Sequence, residues 1–255
     1  SGHEIIAINR KKTDYNDVEG LVWIAGDLSG DYQNYFAQCD ILVHLASYGV
    51  IDGSDNLDDY IYWNVNKSFE LCKQAYNSNI RKFIICGSCF EYGKSGERYD
   101  YIPTSAPLEP TSNYAISKAM ASNLFFNWAS SNQISMNIMR FFQVYGNGED
   151  PRRLWPSLKR AALSGEDFKM TLGEQIRDFI LVDDLSKLIV DALSFDGIKP
   201  GIPQINNIGN GKPITVYQFC NFWWKEWNAK GTLLVGSLPY REDEVMRYVP
   251  DIKNK

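Results

Sequence analysis

The chain has 255 residues, of which 44% are hydrophobic and 22% charged, and its formal net charge is −5. This length is enough to bury a sizeable core, and the composition is ordinary for a globular protein. The acidic balance argues against a nucleic-acid surface. No apolar run approaches the roughly 18 residues of a membrane span. We therefore expect a globular protein that binds neither nucleic acid nor membrane.

Cysteine and histidine usage excludes several kinds of site. The chain has five cysteines: Cys39, Cys72, Cys86, Cys89 and Cys220. Their odd number and irregular spacing do not suit a disulfide framework, so we expect a cytoplasmic location. Cys86 and Cys89 form a C-x-x-C pair, which also suits a redox site, although no other feature supports that alternative. With only His3 and His44 present, we expect no metal site and no His-based triad.

Short apolar runs in the first ninety residues predict the strands of a parallel sheet, because strands buried on both faces consist of continuous apolar residues. These runs are 3–10, 21–28, 39–47 and 83–85. A helical stretch, 60–76, lies between the third and the fourth. The fourth run ends at Cys86-Gly87-Ser88. Ser88 would therefore lie at the carboxyl end of a strand, where open α/β sheets place their ligands.

The stretch 111–128 predicts a helix, because Thr111 and Ser112 suit its first turn and no Gly or Pro follows. Tyr114 and Lys118 are four residues apart and share one face of this helix. A phenol that exchanges a proton near neutral pH needs its pKa lowered from about 10, and a neighbouring ammonium favours the phenolate. The pair is a candidate general acid with its electrostatic partner. With 15 tyrosines in the chain, chance also produces this spacing, so an exposed structural pair is the alternative.

The second half of the chain continues the alternation of strands and helices. A buried strand is predicted at 136–140, a turn at 141–146 and a helix at 154–163. The run 170–185 contains G-E-Q-I-R-D-F and is the most specific segment of this half. The acidic residues within it, Asp178, Asp183 and Asp184, are expected to hold loops and helix starts.

A strand-end Ser followed by Tyr-x-x-x-Lys on the next helix resembles the extended short-chain dehydrogenase/reductase family. Its members include nucleotide-sugar epimerases, dehydratases and ketoreductases. The resemblance covers nearly the whole chain and implies an α/β fold, a Rossmann-like doubly wound parallel sheet with a small C-terminal substrate lobe. Residues 1–150 would form the dinucleotide-binding domain and 151–255 mainly the lobe, with 178–210 returning to the first domain. A homodimer is also implied.

The family's first strand and Gly-rich phosphate loop should precede His3, and relatives continue beyond the last residues of this sequence. We therefore expect that both ends are truncated, so that the pyrophosphate cradle cannot be assigned to any residue here.

The resemblance implies a catalytic role for three residues. Tyr114 would protonate a developing alkoxide, and Lys118 would lower the pKa of that phenol and bind the nicotinamide ribose. Ser88 would hold the carbonyl oxygen of the substrate.

Cofactor choice is predicted from the end of the first run. In NAD-binding Rossmann units an acidic residue at the end of the second strand binds the ribose hydroxyls. Because the family's first strand would precede His3, the first run of this chain corresponds to the family's second strand. The position in question is therefore Asn9, which is followed by Arg10, Lys11 and Lys12. Such a cluster suits a 2′-phosphate, so we favour NADP over NAD, with a solvated basic turn as the alternative. Further cofactor contacts are implied, each with a purely structural alternative, for Asp27, Leu28, Leu45, Ala46, Ser47, Asn64, Phe141 and Gln143.

Substrate contacts are implied mainly by two arginines. The segment around Arg177 resembles the family's G-x-x-x-R-D-F run, in which the Arg meets the diphosphate of a nucleotide sugar. A guanidinium suits this role because its fork matches phosphate oxygens in two hydrogen bonds. Arg241 would be a second phosphate ligand. The remaining substrate contacts implied are Cys89, Phe90 and Gln143.

The reaction type is predicted from the residues after Ser88. Related 4,6-dehydratases carry an Asp-Glu pair there, where this chain has Cys89 and Phe90, so elimination has no visible agent. We predict NADPH-dependent reduction of a nucleotide-activated 4-keto-6-deoxy sugar in the biosynthesis of deoxysugars and surface polysaccharides, because the cations after Asn9 favour reduction. The alternatives are a C4 epimerase of nucleotide sugars and a dinucleotide-binding regulator without catalysis.

Overall fold

The computed structural model describes residues 2–10, 18–50, 53 and 55–252. Its strands are β1 (Ile5–Asn9), β2 (Leu21–Ala25), β3 (Ile41–His44), β4 (Lys82–Ser88), β5 (Ser135–Phe141), β6 (Gln143–Tyr145), β7 (Phe168–Lys169), β8 (Ile176–Arg177), β9 (Phe179–Leu181), β10 (Gln204–Ile208), β11 (Ile214–Thr215), β12 (Leu233–Leu234) and β13 (Arg247–Tyr248).

The α-helices of the described residues are α1 (Gln33–Phe36), α2 (Leu57–Tyr60), α3 (Ser68–Asn77), α4 (Asn113–Ser131), α5 (Leu154–Ser164), α6 (Val182–Ala192) and α7 (Val216–Glu226). A π-helical stretch, Ile61–Lys67, joins α2 to α3, and two short 3₁₀ helices, Cys89–Tyr92 and Lys94–Arg98, follow β4. None of these helices combines the length and the apolar character that crossing a bilayer requires.

Among the described residues, the largest sheet has four strands in the order β10-β5-β4-β3. Strands β3 and β4 are parallel, with Ile41 opposite Lys82, and β1 and β2 form a second parallel pair with Asn9 opposite Ala25. Parallel strands need long crossover connections, and α2 and α3 lie on the connection between β3 and β4. The predicted α/β fold with a parallel sheet is confirmed.

The chain divides into two compact units. Unit 1 comprises residues 1–86, 120–138 and 190–204, and unit 2 comprises 87–119, 139–189 and 205–255. The sequential domains that the resemblance implies, 1–150 and 151–255, remain a prediction.

The core of unit 1 contains an aromatic cluster around Trp128 of α4. Its ring lies 5.3 Å from that of Phe69, 5.7 Å from Tyr76 and 5.5 Å from Phe83, measured between centroids. Phe83 and Phe125 are fully buried beside it. Edge-to-face contacts of this kind add to the stabilisation from burial, so they fix α3 against the parts of α4 and β4 that belong to unit 1.

Unit 2 has its own aromatic cluster. Phe179 of β9 stacks on Phe219 of α7 with a centroid distance of 3.8 Å. Tyr145 of β6 meets the ring of Phe219 edge-on and also contacts Trp155 and Trp223. This cluster therefore holds α5 and α7 against β6 and β9, the strands next to the predicted substrate-binding arginine.

Candidate active site

Ser88 lies at the end of β4, as predicted, and is 6% exposed. It caps the short helix Cys89–Tyr92: its Oγ accepts a hydrogen bond from the Phe90 N–H at 3.2 Å. The Ser88 N–H donates to Oε1 of Glu91 at 2.8 Å, which completes a capping box. Because a serine hydroxyl has one hydrogen to donate besides its lone pairs, Ser88 Oγ can accept from the backbone and still donate to a ligand.

A buried ion pair supports this cap. Nε of Arg140 on β5 donates to Oε2 of Glu91 at 2.8 Å, and both side chains are at most 3% exposed. Nη1 of Arg140 donates to the Tyr92 hydroxyl, which donates to Oδ1 of Asn207. Neither Glu91 nor Arg140 is among the site residues predicted from the sequence. The S-x-x-E spacing of Ser88 and Glu91 is a capping-box signal that could have identified the first of them.

The N-terminal half of α4 carries the predicted Tyr–Lys pair. Ser112 Oγ accepts from the Ala115 N–H at 3.3 Å, and the Ser112 carbonyl accepts from the Ile116 N–H. The predicted helix start is confirmed. Tyr114 is half-buried and Lys118, one turn later, is 6% exposed.

Phe90 brings the segment after β4 to this turn of α4. Its ring meets that of Tyr114 at 6.3 Å between centroids and that of Tyr248 at 5.5 Å, both edge-to-face. Cys89 beside it is fully buried, and burial raises the pKa of its thiol to about 12. The two side chains that follow Ser88 in sequence are thus an aromatic ring and a thiol that stays neutral at physiological pH.

Arg177, the predicted diphosphate ligand, is buried beneath a loop of unit 2. Its Nη2 donates to Glu244 Oε1 and to the Val245 carbonyl, each at 2.6 Å. The guanidinium lies over the ring of Tyr248. Arg241, three residues before Glu244, is exposed, so Arg177 and the segment that carries Arg241 come together.

Asp178, the residue after Arg177, contacts β6 and a nearby loop. Gln143 of β6 donates its N–H to the carbonyl of Asp178. The Asp178 carboxylate accepts from the backbone N–H groups of Asn210 and Lys212, both at 2.7 Å. Asp178 therefore holds a loop, as expected, while Asp183 and Asp184 lie in the first turn of α6.

The carboxyl ends of β1 and β2 lie at one edge of a parallel pair in unit 1. Asn9 is half-buried, the next residue Arg10 is exposed, and Lys11 and Lys12 lie outside the described residues. Asp27 follows β2, and hydrogen bonds from Ser29 lower the pKa of its carboxyl. Leu28, half-buried, follows Asp27. This edge offers a cation and a carboxylate to a ligand, a donor set that fits the ribose and phosphate groups of a dinucleotide.

The turn after β3 is held by Asn64 from the π-helical stretch. Asn64 Oδ1 accepts from the Tyr48 N–H at 2.7 Å, and Nδ2 donates to the Tyr48 carbonyl at 3.0 Å. Ser47 Oγ lies 3.4 Å from Asn64 Oδ1. The turn itself, Leu45-Ala46-Ser47, is partly exposed, which leaves it accessible to a ligand. Phe141, the last predicted cofactor contact, ends β5 and is half-buried.

A parallel α/β sheet with a strand-end Ser and Tyr-x-x-x-Lys on α4 defines the extended short-chain dehydrogenase/reductase class. Residues 1–209 match the NAD dependent epimerase/dehydratase family. The chain belongs to this family, and the recognition from sequence is confirmed.

Individual relatives agree with this assignment. The probable UDP-arabinose 4-epimerase 3 of Arabidopsis thaliana is 25% identical over an alignment of 206 residues, and the match covers 71% of this chain and 48% of that protein. Like other curated relatives, it is about twice as long as the part matched, so the chain spans about half of their length.

Two solved structures share the fold. The UDP-N-acetylglucosamine 4-epimerase of Methanobrevibacter ruminantium M1 superimposes with a TM-score of 0.86, at 24% identity, over 98% of this chain and 82% of that one. MoeE5 in complex with UDP-glucose and NAD superimposes with a TM-score of 0.81, at 25% identity, over 98% and 81%. The Rossmann-like architecture expected from the sequence is therefore confirmed.

Proposed function

We propose that the protein transfers hydride at carbon C4 of a nucleotide-activated sugar, with NAD or NADP as cofactor, and without eliminating water. The observation that carries this proposal is the environment of Ser88. A hydroxyl able to donate lies in the same unit as Tyr114 and Lys118, and no side chain in the segment 89–91 is suited to pulling a proton from the sugar.

The proposed roles follow from the groups present. The dinucleotide, when bound, supplies or accepts the hydride. Tyr114 takes the proton of the C4 hydroxyl during oxidation and returns it during reduction. Ser88 donates a hydrogen bond to the same oxygen and stabilises the charge that develops there. Lys118, a cation next to this tyrosine in the helix, holds the ribose of the cofactor. These roles are proposals carried over from the family.

Elimination lacks an agent in this segment. The thiol of Cys89 has a pKa of about 12 because it is buried, so the thiolate is scarce near neutral pH. Phe90 has no ionisable group. The carboxylate of Glu91 is engaged by Arg140 and by the Ser88 N–H. A carboxylate with both oxygens occupied in this way is poorly placed to act as a base towards C5 of a sugar.

Epimerisation at C4 is our first candidate. It requires reversible hydride transfer at one carbon and no further acid or base, which agrees with the groups around Ser88. The names of the Arabidopsis relative and of the methanogen structure, both 4-epimerases, support it. NAD in the MoeE5 structure supports that form of the cofactor.

Reduction of a 4-keto-6-deoxy sugar by NADPH is the second candidate. It is favoured by Asn9, which ends β1 where an acidic residue would favour NAD, and by the exposed cation that follows it, Arg10. The phosphate ligands in either case would be Arg177 and Arg241, with Gln143, Cys89 and Phe90 near the sugar.

We also propose a cytoplasmic location and a homodimer. None of the five cysteines, all of which the structure describes, is in a disulfide, which agrees with a cytoplasmic location. The homodimer remains a prediction. A binding-only regulator is disfavoured by the presence of Ser88, Tyr114 and Lys118 together.

The test uses the full-length protein in two reactions. In one it receives UDP-glucose with NAD, and in the other a nucleotide-4-keto-6-deoxyhexose with NADPH. Interconversion of C4 stereoisomers without net change in cofactor absorbance supports the epimerase, whereas stoichiometric NADPH oxidation supports the reductase. Formation of a 4-keto-6-deoxy product from UDP-glucose would contradict both.

A further inference from the structure

We infer that Glu91, held in place by Arg140, is a positioning residue that fixes the direction in which Ser88 donates its hydroxyl hydrogen. The inference rests on the proposed function, in which Ser88 binds the C4 oxygen. It gives a role in the reaction to two residues, from separate elements, that have none in the proposed function.

Hydrogen bonds fix both the backbone and the side chain of Ser88. Its backbone N–H donates to Glu91 Oε1 at 2.8 Å, while its Oγ accepts from the Phe90 N–H at 3.2 Å. With one lone pair of Oγ occupied by this donor, the hydroxyl hydrogen is directed away from the cap. The capping box therefore decides which way a ligand oxygen must approach Ser88.

The ion pair holds the Glu91 carboxylate in one position. Glu91 is fully buried, so its charge needs a partner, and Arg140 supplies it through Nε at 2.8 Å. Arg140 is itself fixed, because its Nη1 donates to the Tyr92 hydroxyl at 2.9 Å and to the Thr104 carbonyl at 3.3 Å. Glu91 Oε1 is therefore a charged acceptor in a fixed position, and it gives the Ser88 N–H one well-defined hydrogen-bond partner.

Gly87 shows how closely this support approaches the strand end. A Cβ on Gly87 would lie 2.8 Å from Glu91 Oε1 and 2.9 Å from Arg140 Cγ. The carboxylate can reach the Ser88 N–H only because the preceding residue has no side chain. Space, and not an unusual backbone conformation, is what requires glycine here.

The test compares two double variants of the full-length protein, E91Q/R140M and E91L/R140M. Both remove the buried charges together, since removing one alone would leave the other uncompensated. The glutamine of E91Q keeps an oxygen that can accept from the Ser88 N–H, and the leucine of E91L has none. We expect kcat of the E91L/R140M variant to be about 10- to 100-fold below that of E91Q/R140M, the size of a small misplacement of a catalytic group, with KM similar.

The same two double variants are also compared in the S88A background. A purely structural role of Glu91 would lower kcat there as well, whereas a role through the Ser88 hydroxyl would not. With the hydroxyl absent, kcat of the two should be equal. Equal kcat when Ser88 is present, or the same loss from E91Q to E91L in the S88A background, would overturn the positioning role.

The proposed function can fail separately from the inference. If S88A alone keeps the turnover of the unmodified protein, Ser88 is not part of the reaction and both fall. If S88A is impaired while E91Q/R140M and E91L/R140M are equal, only the positioning role falls. Should E91L/R140M not fold, G87A provides the second test, because its methyl group displaces Glu91 Oε1. We expect a lower kcat in G87A at similar KM, and an unchanged kcat would overturn the inference.

Discussion

Two strand ends differ sharply in how their polar residues are held. At the end of β4, in unit 2, Ser88 and the Glu91–Arg140 pair are at most 6% exposed and are bound to one another. At the end of β1, in unit 1, Asn9 is half-buried and Arg10 is exposed. The first arrangement is fixed before any ligand arrives, whereas the second presents a charge to solvent.

Because of this difference, we expect changes at the two strand ends to have different effects. Changes at the end of β4 should alter folding stability and turnover, because they disturb buried charges and a hydroxyl that we assign to the reaction. Changes at the end of β1 should alter the choice of ligand and leave stability nearly unchanged, because solvent already screens the charge.

The most severe way to disturb the buried region is Glu91→Ala. It leaves the guanidinium of Arg140 buried without its counter-ion, and we expect a loss of about 3–5 kcal/mol of unfolding free energy. Urea denaturation of the full-length protein measures it. Glu109→Ala is the control, because it breaks an exposed pair with Arg98 and should cost about 0–1 kcal/mol. Equal losses in the two variants would show that burial of the pair has no energetic consequence.

Tyr114→Phe disturbs the reaction without disturbing the packing. The variant keeps the aromatic ring that meets Phe90 and loses only the phenolic oxygen. We expect turnover to fall by about 10²–10⁴-fold, as for the loss of a general acid, with unchanged thermal unfolding. Tyr62→Phe, at an exposed tyrosine, is the matched control. Near-normal turnover of the Tyr114 variant would remove this residue from the proposed mechanism.

Glu244→Gln tests whether Arg177 is restrained by its own carboxylate partner. Glu244 Oε1 lies 2.6 Å from Nη2 of Arg177, so it competes with a phosphate for the same donor. Neutralising it should tighten binding of a nucleoside diphosphate by about tenfold, or 1.4 kcal/mol, measured by calorimetry. Glu242→Gln, on the same exposed segment, should have a smaller effect. Weaker binding in the Glu244 variant would mean that this carboxylate orients Arg177 for the ligand instead.

The smallest expected effect on the fold is that of Arg10→Asp. Unfolding free energy should change by less than about 0.5 kcal/mol, as for most exposed positions. The ratio of kcat/KM for NADPH to that for NADH should fall, because a 2′-phosphate would lose a cation and meet a like charge. Lys187→Asp, at an exposed residue of α6, controls for net charge. An unaltered ratio would mean that Arg10 belongs to a solvated turn.

Local sequence patterns predicted the helices and strands well, but they did not predict the long-range contacts that hold the site residues in place. The start of α4 at Ser112, the strand that ends at Ser88 and the Tyr114–Lys118 spacing all depend on residues within a few positions of each other. The partner of Glu91 is 49 residues away and that of Arg177 is 67 residues away. Nothing in the spacing of either pair indicates contact, since tertiary packing decides it. The roles of the site residues remain predictions for the same reason.

The most direct measurement of the central claim, hydride transfer at C4 without elimination, is the position of deuterium in the product, determined by NMR. The full-length protein would receive UDP-glucose deuterated at C4 with NAD, and separately a nucleotide-4-keto-6-deoxyhexose with NADPH deuterated at the transferred hydride. We predict deuterium at C4 of the product in whichever reaction proceeds. In the reaction of UDP-glucose, C6 of the product should retain its oxygen. Deuterium in a C6 methyl group would show that water is eliminated and hydride returned at C6, which would contradict the account.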